Sequence, residues 1–170
     1  MPRWLTLGAI SLAAVLAGCT PPPSAQRAVV GRCHAGAGWS MAYVSLSPLG
    51  ALPARHVQAL RYWITVTPTI GRRCGSFLLT KHLTLLRGPG SLHITEVRDF
   101  YAHGQLIAEH RASVGREIRH SGTYEGRLSL PIPMSTPFGR YRVVSLLYGR
   151  WGRRAPFLIA RTQATFAIRP

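Results

Sequence analysis

From about residue 41 onward the chain is a series of short apolar runs separated by turn signals every 8–12 residues or so, with no long amphipathic helix between them. Leu60, Tyr62, Ile64 and Val66 alternate with Arg61, Trp63, Thr65 and Thr67, a period of two rich in aromatic and β-branched residues, and Pro68 ends the run. Residues 77–86 are apolar on both faces; that suits a buried strand or a short helix, and the strand is preferred. Arg87-Gly88-Pro89-Gly90 is a turn. Residues 92–101 and 105–112 flank Ala102-His103-Gly104, which suits a hairpin with glycine where φ is positive. After a turn at Ser121-Gly122, residues 124–132 alternate through Leu128, Leu130 and Ile132, with Pro131 and Pro133 stopping the strand or placing it at an edge. Residues 141–148 are apolar on both faces, Gly149-Arg150-Trp151-Gly152-Arg153-Arg154 reads as a turn, and residues 157–168 run back with Ala164, Phe166 and Ile168 on one side. Residues 51–61 are the one good candidate for a short helix. A series of about seven strands predicts an all-β, antiparallel β-sandwich.

The first residues follow a different rule. Arg3 supplies a short positive segment, and residues 4–16 are apolar and uncharged but too short to span a bilayer as a helix, which takes about 20 residues. Leu16-Ala17-Gly18-Cys19 follows. This stretch resembles the lipobox of bacterial lipoproteins. The resemblance covers about 20 residues and implies diacylation of the Cys19 thiol, cleavage after Gly18 and acylation of the new amino group. Thr20 rather than Asp follows the cysteine; by the same resemblance this favours the outer membrane over retention at the inner one. Several acyl chains make a stable anchor where one holds only marginally. The expected organisation is a signal peptide over 1–18, the lipidated Cys19 with a Pro-rich tether over 19–30, and one β-sandwich domain over 31–170. Consecutive prolines at 21–23 favour an extended polyproline spacer.

With Cys19 acylated, Cys33 and Cys74 remain. In an oxidising periplasm a disulfide between them is the default, two independent buried thiols the alternative.

Gly139-Arg140-Tyr141-Arg142-Val143 resembles the start of the penultimate strand of immunoglobulin-like domains, where the tyrosine hydroxyl forms a tyrosine corner. The hairpin that follows, ending in Thr165-Phe166-Ala167-Ile168, is how such domains finish. This resemblance, over about 30 residues, implies an immunoglobulin-like sandwich. The chain departs from antibody domains in lacking the cysteine pair between the sheets, since position 143 is Val. A transthyretin-like sandwich stays open.

Catalytic chemistry is thinly provided. The acids are Glu96, Asp99, Glu109, Glu117 and Glu125. Glu96 and Asp99 are the one candidate carboxylate pair for glycoside hydrolysis, and neutralisation of nearby Arg is the simpler account. Gly38-Trp39-Ser40-Met41-Ala42 approximates a nucleophile elbow but lacks the strand-turn-helix context that motif requires. His93, His103, His110 and His120 show no metal-ligand spacing. No catalytic residue, metal or cofactor is expected.

Charge is the remaining clue. The chain carries 21 basic and 5 acidic residues, a formal charge of +16, and Lys81 is the one basic residue that is not Arg. Guanidinium groups match phosphate and carboxylate geometry, so anion binding is physically available; a composition bias toward Arg explains the same numbers. Arg150, Trp151, Arg153 and Arg154 form the expected anion- or partner-binding cluster, with Arg72, Arg73, Arg140 and Arg142 as possible extensions. Nucleic acid is not expected as a partner. The expectation is a non-enzymatic envelope protein, held at the membrane by its N-terminal lipid and facing the periplasm, that binds a protein of a secretion or surface-assembly system or an anionic polymer. The alternatives are a cell-wall or polysaccharide-active enzyme, and a periplasmic chaperone or inhibitor.

Overall fold

The structure is a computed structural model that describes residues 42–170, so the signal, Cys19, Cys33, the tether and Gly38–Met41 of the elbow-like segment lie outside the described residues. Nine strands occur among those described: β1 (Tyr43–Pro48), β2 (Val57–Thr67), β3 (Ile70–Arg72), β4 (Ser76–Arg87), β5 (Leu92–Ala102), β6 (Gln105–Ser113), β7 (Gly122–Pro131), β8 (Gly139–Trp151) and β9 (Phe157–Arg169). Seven of them are the apolar runs that the sequence predicts as strands. The two additional ones, β1 and β3, have six and three residues, too short for a period to show.

The helix expected over 51–61 is absent. Arg55 sits at φ 58°, outside the right-handed helical region. Its neighbours bond to the β4–β5 turn rather than to one another: Leu52 N–H donates to Arg87 O, Arg55 N–H to Pro89 O, and Gly88 N–H to His56 O. The approach is so close that a Cβ on Gly88 would lie 1.7 Å from Pro53 O. From Val57 the chain is already strand. A bulge between Ala59 and Arg61 breaks the simple alternation, leaving Leu60 49% exposed while Tyr62, Ile64 and Val66 face inward.

The strands form two sheets, β1-β7-β4-β2 and β3-β9-β8-β5-β6. Every neighbouring pair is antiparallel except β3 and β9. After β2 the chain crosses to the other sheet and lays β3 parallel to the last strand. β2, β4 and β7 take the A, B and E places of an immunoglobulin-like sandwich, and β5, β8 and β9 take C, F and G. The departure is β1: the earliest described strand fills the edge place beside E that strand D normally holds. The fold is therefore all-β and immunoglobulin-like.

Alternate residues of both sheets close the core, including Phe77, Leu79, Leu83, Leu85, Ile94, Val143, Leu147 and Ile168. Phe77 and Tyr141 both pack on Phe166, at 4.6 and 5.4 Å between ring centroids. Tyr141 Oη donates to Pro137 O at 2.6 Å, the tyrosine corner that the Gly139-Arg140-Tyr141 motif implies. Tyr124 repeats the device in β7, donating to His120 O at 2.7 Å.

The centre of this core is charged. Lys81 on β4, and Glu96 and Arg98 on β5, are fully buried with Ser145 on β8. Glu96 Oε1 accepts from the Lys81 ammonium, the Ser145 hydroxyl and, at 2.8 Å, the Tyr62 hydroxyl. Arg98 Nη2 meets His110 Nδ1 at 2.7 Å, while Arg98 Nε and Nη1 and Glu96 Oε2 are buried without a hydrogen-bond partner. Burial pushes Lys81 down to about 8; Glu96 opposes that shift and Arg98 adds to it. Burial alone would raise Glu96, but Lys81, Ser145 and Arg98 outweigh it and hold the carboxyl below its ordinary value. One carboxylate thus balances two cations.

Two predictions follow from this core. Glu96→Gln, which leaves Lys81 and Arg98 buried without an anion, should cost about 3–5 kcal/mol in denaturant unfolding, whereas Lys81→Met, which leaves Glu96 facing Arg98, should cost clearly less. Because the folded-state pKa of Glu96 is depressed, its contribution is full above the ordinary carboxylate range and lost as pH falls through the folded value. The acid limb of the stability curve should accordingly flatten in Glu96→Gln. Separately, Tyr141→Phe leaves Pro137 O without its donor and should cost about 1–2 kcal/mol at unchanged denaturant slope.

Candidate anion-binding end of the sandwich

Four loops meet at one end of the strands: 49–56, 88–91, 114–121 and 152–156. Backbone bonds lock them together, with Leu49 N–H donating to Ser121 O, Leu52 N–H to Arg87 O and Gly152 N–H to Ser91 O. The Arg87 guanidinium ties in two more carbonyls, Ile118 O at 3.1 Å and Gly90 O at 3.0 Å. These loops carry Arg55, Arg116, Arg119, Arg153 and Arg154, and Glu117 is their one acid.

A cavity of about 430 Å³ opens here, lined by Arg55, Ser91, Trp151, Gly152, Arg153 and Arg154. Local backbone chemistry shapes it. Gly152 turns the chain at φ 54°, and Arg154 N–H donates to Trp151 O. Gly90, at φ 127°, lets the Trp151 ring lie against the β4–β5 turn, where a Cβ would come within 3.2 Å of the ring. Three guanidinium groups and an indole then face a space whose lining holds no carboxylate. Such a wall suits phosphate, sulfate or carboxylate, with the indole available to a sugar or apolar group.

The structure revises the expected cluster. β8 runs through Trp151, so Arg150 and Trp151 are strand residues pointing to opposite faces, and only Arg153 and Arg154 are on the turn. Arg150 lines a separate groove of about 530 Å³ on the outer face of the five-stranded sheet, with His93, Asp99, Glu109, Arg111 and Tyr148. Arg55 takes its place in the cavity. Arg55 lies about 100 residues before the hairpin in sequence, and the expected helix over 51–61 hid its loop position.

Arg72, Arg73, Arg140 and Arg142 do not extend the site. They occupy the other end of the strands, roughly 30 Å away at about 3.3 Å per residue along β8. There Arg73 Nε donates to Thr136 O and its guanidinium lies 3.8 Å over the Phe138 ring, while Arg142 stands over Tyr101. Cys74, on the turn before β4, is not a free thiol.

Strand parity also separates the candidate carboxylate pair, since Glu96 faces the core and Asp99 the outer groove. Asp99 is raised from its ordinary value, first by burial and then by Glu109 opposite it on β6, with Arg111 opposing. Glu109 is paired with Arg111 at 2.6 Å, and Glu125 with Arg127 at 2.7 Å. The four histidines are not brought together: His93 lies in the groove, His103 on the β5–β6 turn at φ 50°, His110 beside Arg98, and His120 on the 114–121 loop. Burial and Arg98 lower His110. Among the described residues no group of three His, Cys, Asp or Glu can hold a metal.

No protein-family model matches the chain, and no curated protein matches it. Among solved structures it is similar to the crystal structure of a CARDB domain from Pyrococcus furiosus in complex with di-metal ions, at 11% identity and a TM-score of 0.44, over 70% of this chain and 97% of that one.

Proposed function

We propose that this chain is a non-enzymatic, lipid-anchored envelope protein whose sandwich binds an anionic envelope component, such as an acidic or phosphate-bearing polysaccharide, through the basic end. The observation that carries this reading is the cavity walled by Arg55, Arg153, Arg154 and Trp151 with no carboxylate in its lining. Four of the five acids are engaged or set elsewhere: Glu96 in the core, Asp99 and Glu109 in the outer groove, and Glu125 on β7. In this reading Cys19 bears the lipid at the outer membrane, the proline-rich tether holds the sandwich off the bilayer, and Cys33 pairs with Cys74. Multiple phosphates or carboxylates on a polymer compensate for the modest strength of each exposed contact.

A second reading, a polysaccharide-active enzyme, draws on the outer groove, where Asp99 is raised beside Glu109. Its mark is hydrolysis of a polysaccharide that Asp99→Asn abolishes; binding without turnover leaves the first reading standing.

The test uses the full chain in detergent micelles on beads bearing a phosphorylated polysaccharide. Binding should be strong at low ionic strength and weaken steeply as salt screens the contacts. The triple replacement of Arg55, Arg153 and Arg154 by Ala should weaken it by about two orders of magnitude, on the order of 1 kcal/mol per lost charged contact. Replacing Arg140 and Arg142 at the other end should change it little. No binding at low salt, or equal loss from either end, overturns the proposal. In cells, Cys19→Ser should shift the protein's gel mobility and release it from the membrane fraction; an unchanged mobility and membrane location removes the anchor.

A further inference from the structure

The end of the sandwich opposite the anion cavity is built by β3 and residues 68–75, by residues 103–104 and 132–138, and by the last residues of β9. These pieces are tied to one another. Cys74 N–H donates to Ile132 O and Ile132 N–H to Gly75 O, and Arg73 Nε holds Thr136 O. Thr136 N–H donates to Pro133 O, closing a β-turn that puts Met134 at its tip. Ile70, Met134 and Phe138 stand out from this end, 50%, 44% and 42% exposed. Arg72, Arg73, Arg140, Arg142 and Arg169 share it, and none of its connecting segments contains Asp or Glu. Arg73 lays its guanidinium over the Phe138 ring, so cation and apolar surface are presented together.

That combination says what fits. An acidic polymer in water would satisfy the arginines and leave the three apolar side chains wet. A bilayer surface satisfies both: apolar side chains enter the boundary between headgroups and acyl chains, while guanidinium groups stay level with the lipid phosphates. The absence of carboxylates matters here, because an acid on these segments would be repelled by an anionic leaflet.

The direction of β1 agrees. Tyr43 pairs with Gly126 and Pro48 with Gly122, so β1 runs toward the anion cavity and the chain enters it from the side of the apolar end. In the lipid-anchor reading, on which this point alone rests, the segment that bears Cys19 therefore joins the sandwich from its membrane side.

We propose that this end is a membrane-docking surface: Ile70, Met134 and Phe138 enter the interfacial layer of an anionic bilayer, and Arg72, Arg140 and Arg169 meet its phosphates. A tether by itself would let the sandwich tumble. Docking fixes its orientation and points the cavity of Arg55, Arg153 and Arg154 away from the bilayer, toward a polymer.

The experiment places a photoreactive benzophenone amino acid at position 138, or at position 157 at the cavity end of β9, in the full chain reconstituted into vesicles. The vesicles are phosphatidylcholine with about one-third phosphatidylglycerol, or phosphatidylcholine alone. After irradiation, mass spectrometry should find lipid adducts at 138 and few at 157, and fewer at 138 without the anionic lipid or in high salt. Arg72→Ala and Arg140→Ala should each lower the docked-to-undocked ratio about fivefold, and Met134→Ser should lower it as well. Unfolding midpoints close to wild type establish that the variants fold. Intact mass reports acylation of Cys19 separately. An acylated chain that floats with the vesicles but gives no adduct at 138 overturns docking and leaves the anchor standing; adducts at 138 from an unacylated chain support docking and remove the anchor. Adducts favouring 157, or adducts at 138 that ignore both the arginines and the anionic lipid, also overturn the proposal.

Discussion

The two sheets meet around a single carboxylate. Glu96 is reached by Lys81 from one sheet, by Ser145 from its own, and by Tyr62 from the outermost strand of the opposite sheet. Apolar burial supplies the drive for closing the sandwich, but it does not choose among small slips of one sheet over the other, because one aliphatic row packs on another in several offsets. A buried ion pair does choose, because any offset that separates Lys81 from Glu96 strands two charges in a low dielectric. Arg98 raises the stakes, a second buried cation whose charge the same carboxylate balances. The price of this device is incomplete satisfaction, with Glu96 Oε2 and two Arg98 nitrogens left without hydrogen bonds.

The same alternation that builds the core distributes the functional groups. On β5, even-numbered residues face the core and odd-numbered ones the outer groove, so Glu96 becomes a structural charge while Asp99 stays at the surface. On β8 one step along the strand sends Arg150 to the groove and Trp151 to the loop cavity. Two polar surfaces result on one small domain: a basic, loop-built end, and a mixed-charge outer face of the five-stranded sheet. Their electrostatics differ because three of the five acids lie on β5 and β6, which leaves the loop end with five arginines against the single acid Glu117.

How much of this was legible in the sequence depends on the range of the interactions involved. Seven strands were readable from short apolar runs, alternating or continuous, and the turn residues between them, and the tyrosine corner from Gly139, Tyr141 and the hairpin behind it, since each is a local pattern within one or two elements. The bulge that turns Leu60 outward was not, because a bulge is set by how a strand fits its partner. Loop 49–56 resembled a helix start because helix propensity is local, whereas its backbone donors are taken by a turn some thirty residues later.

By itself the sequence determined the class of the fold, most of its strands, the excess of arginine and the scarcity of catalytic groups, because composition and short-range periodicity are properties of the chain alone. Only the tertiary structure decided which arginines share a cavity, that Lys81 and Glu96 meet in the core, and that Glu96 and Asp99 part company. Each of these is a pairing between residues distant along the chain. Such pairings depend on sheet order and register, which follow from the summed packing of all the strands and from no single segment.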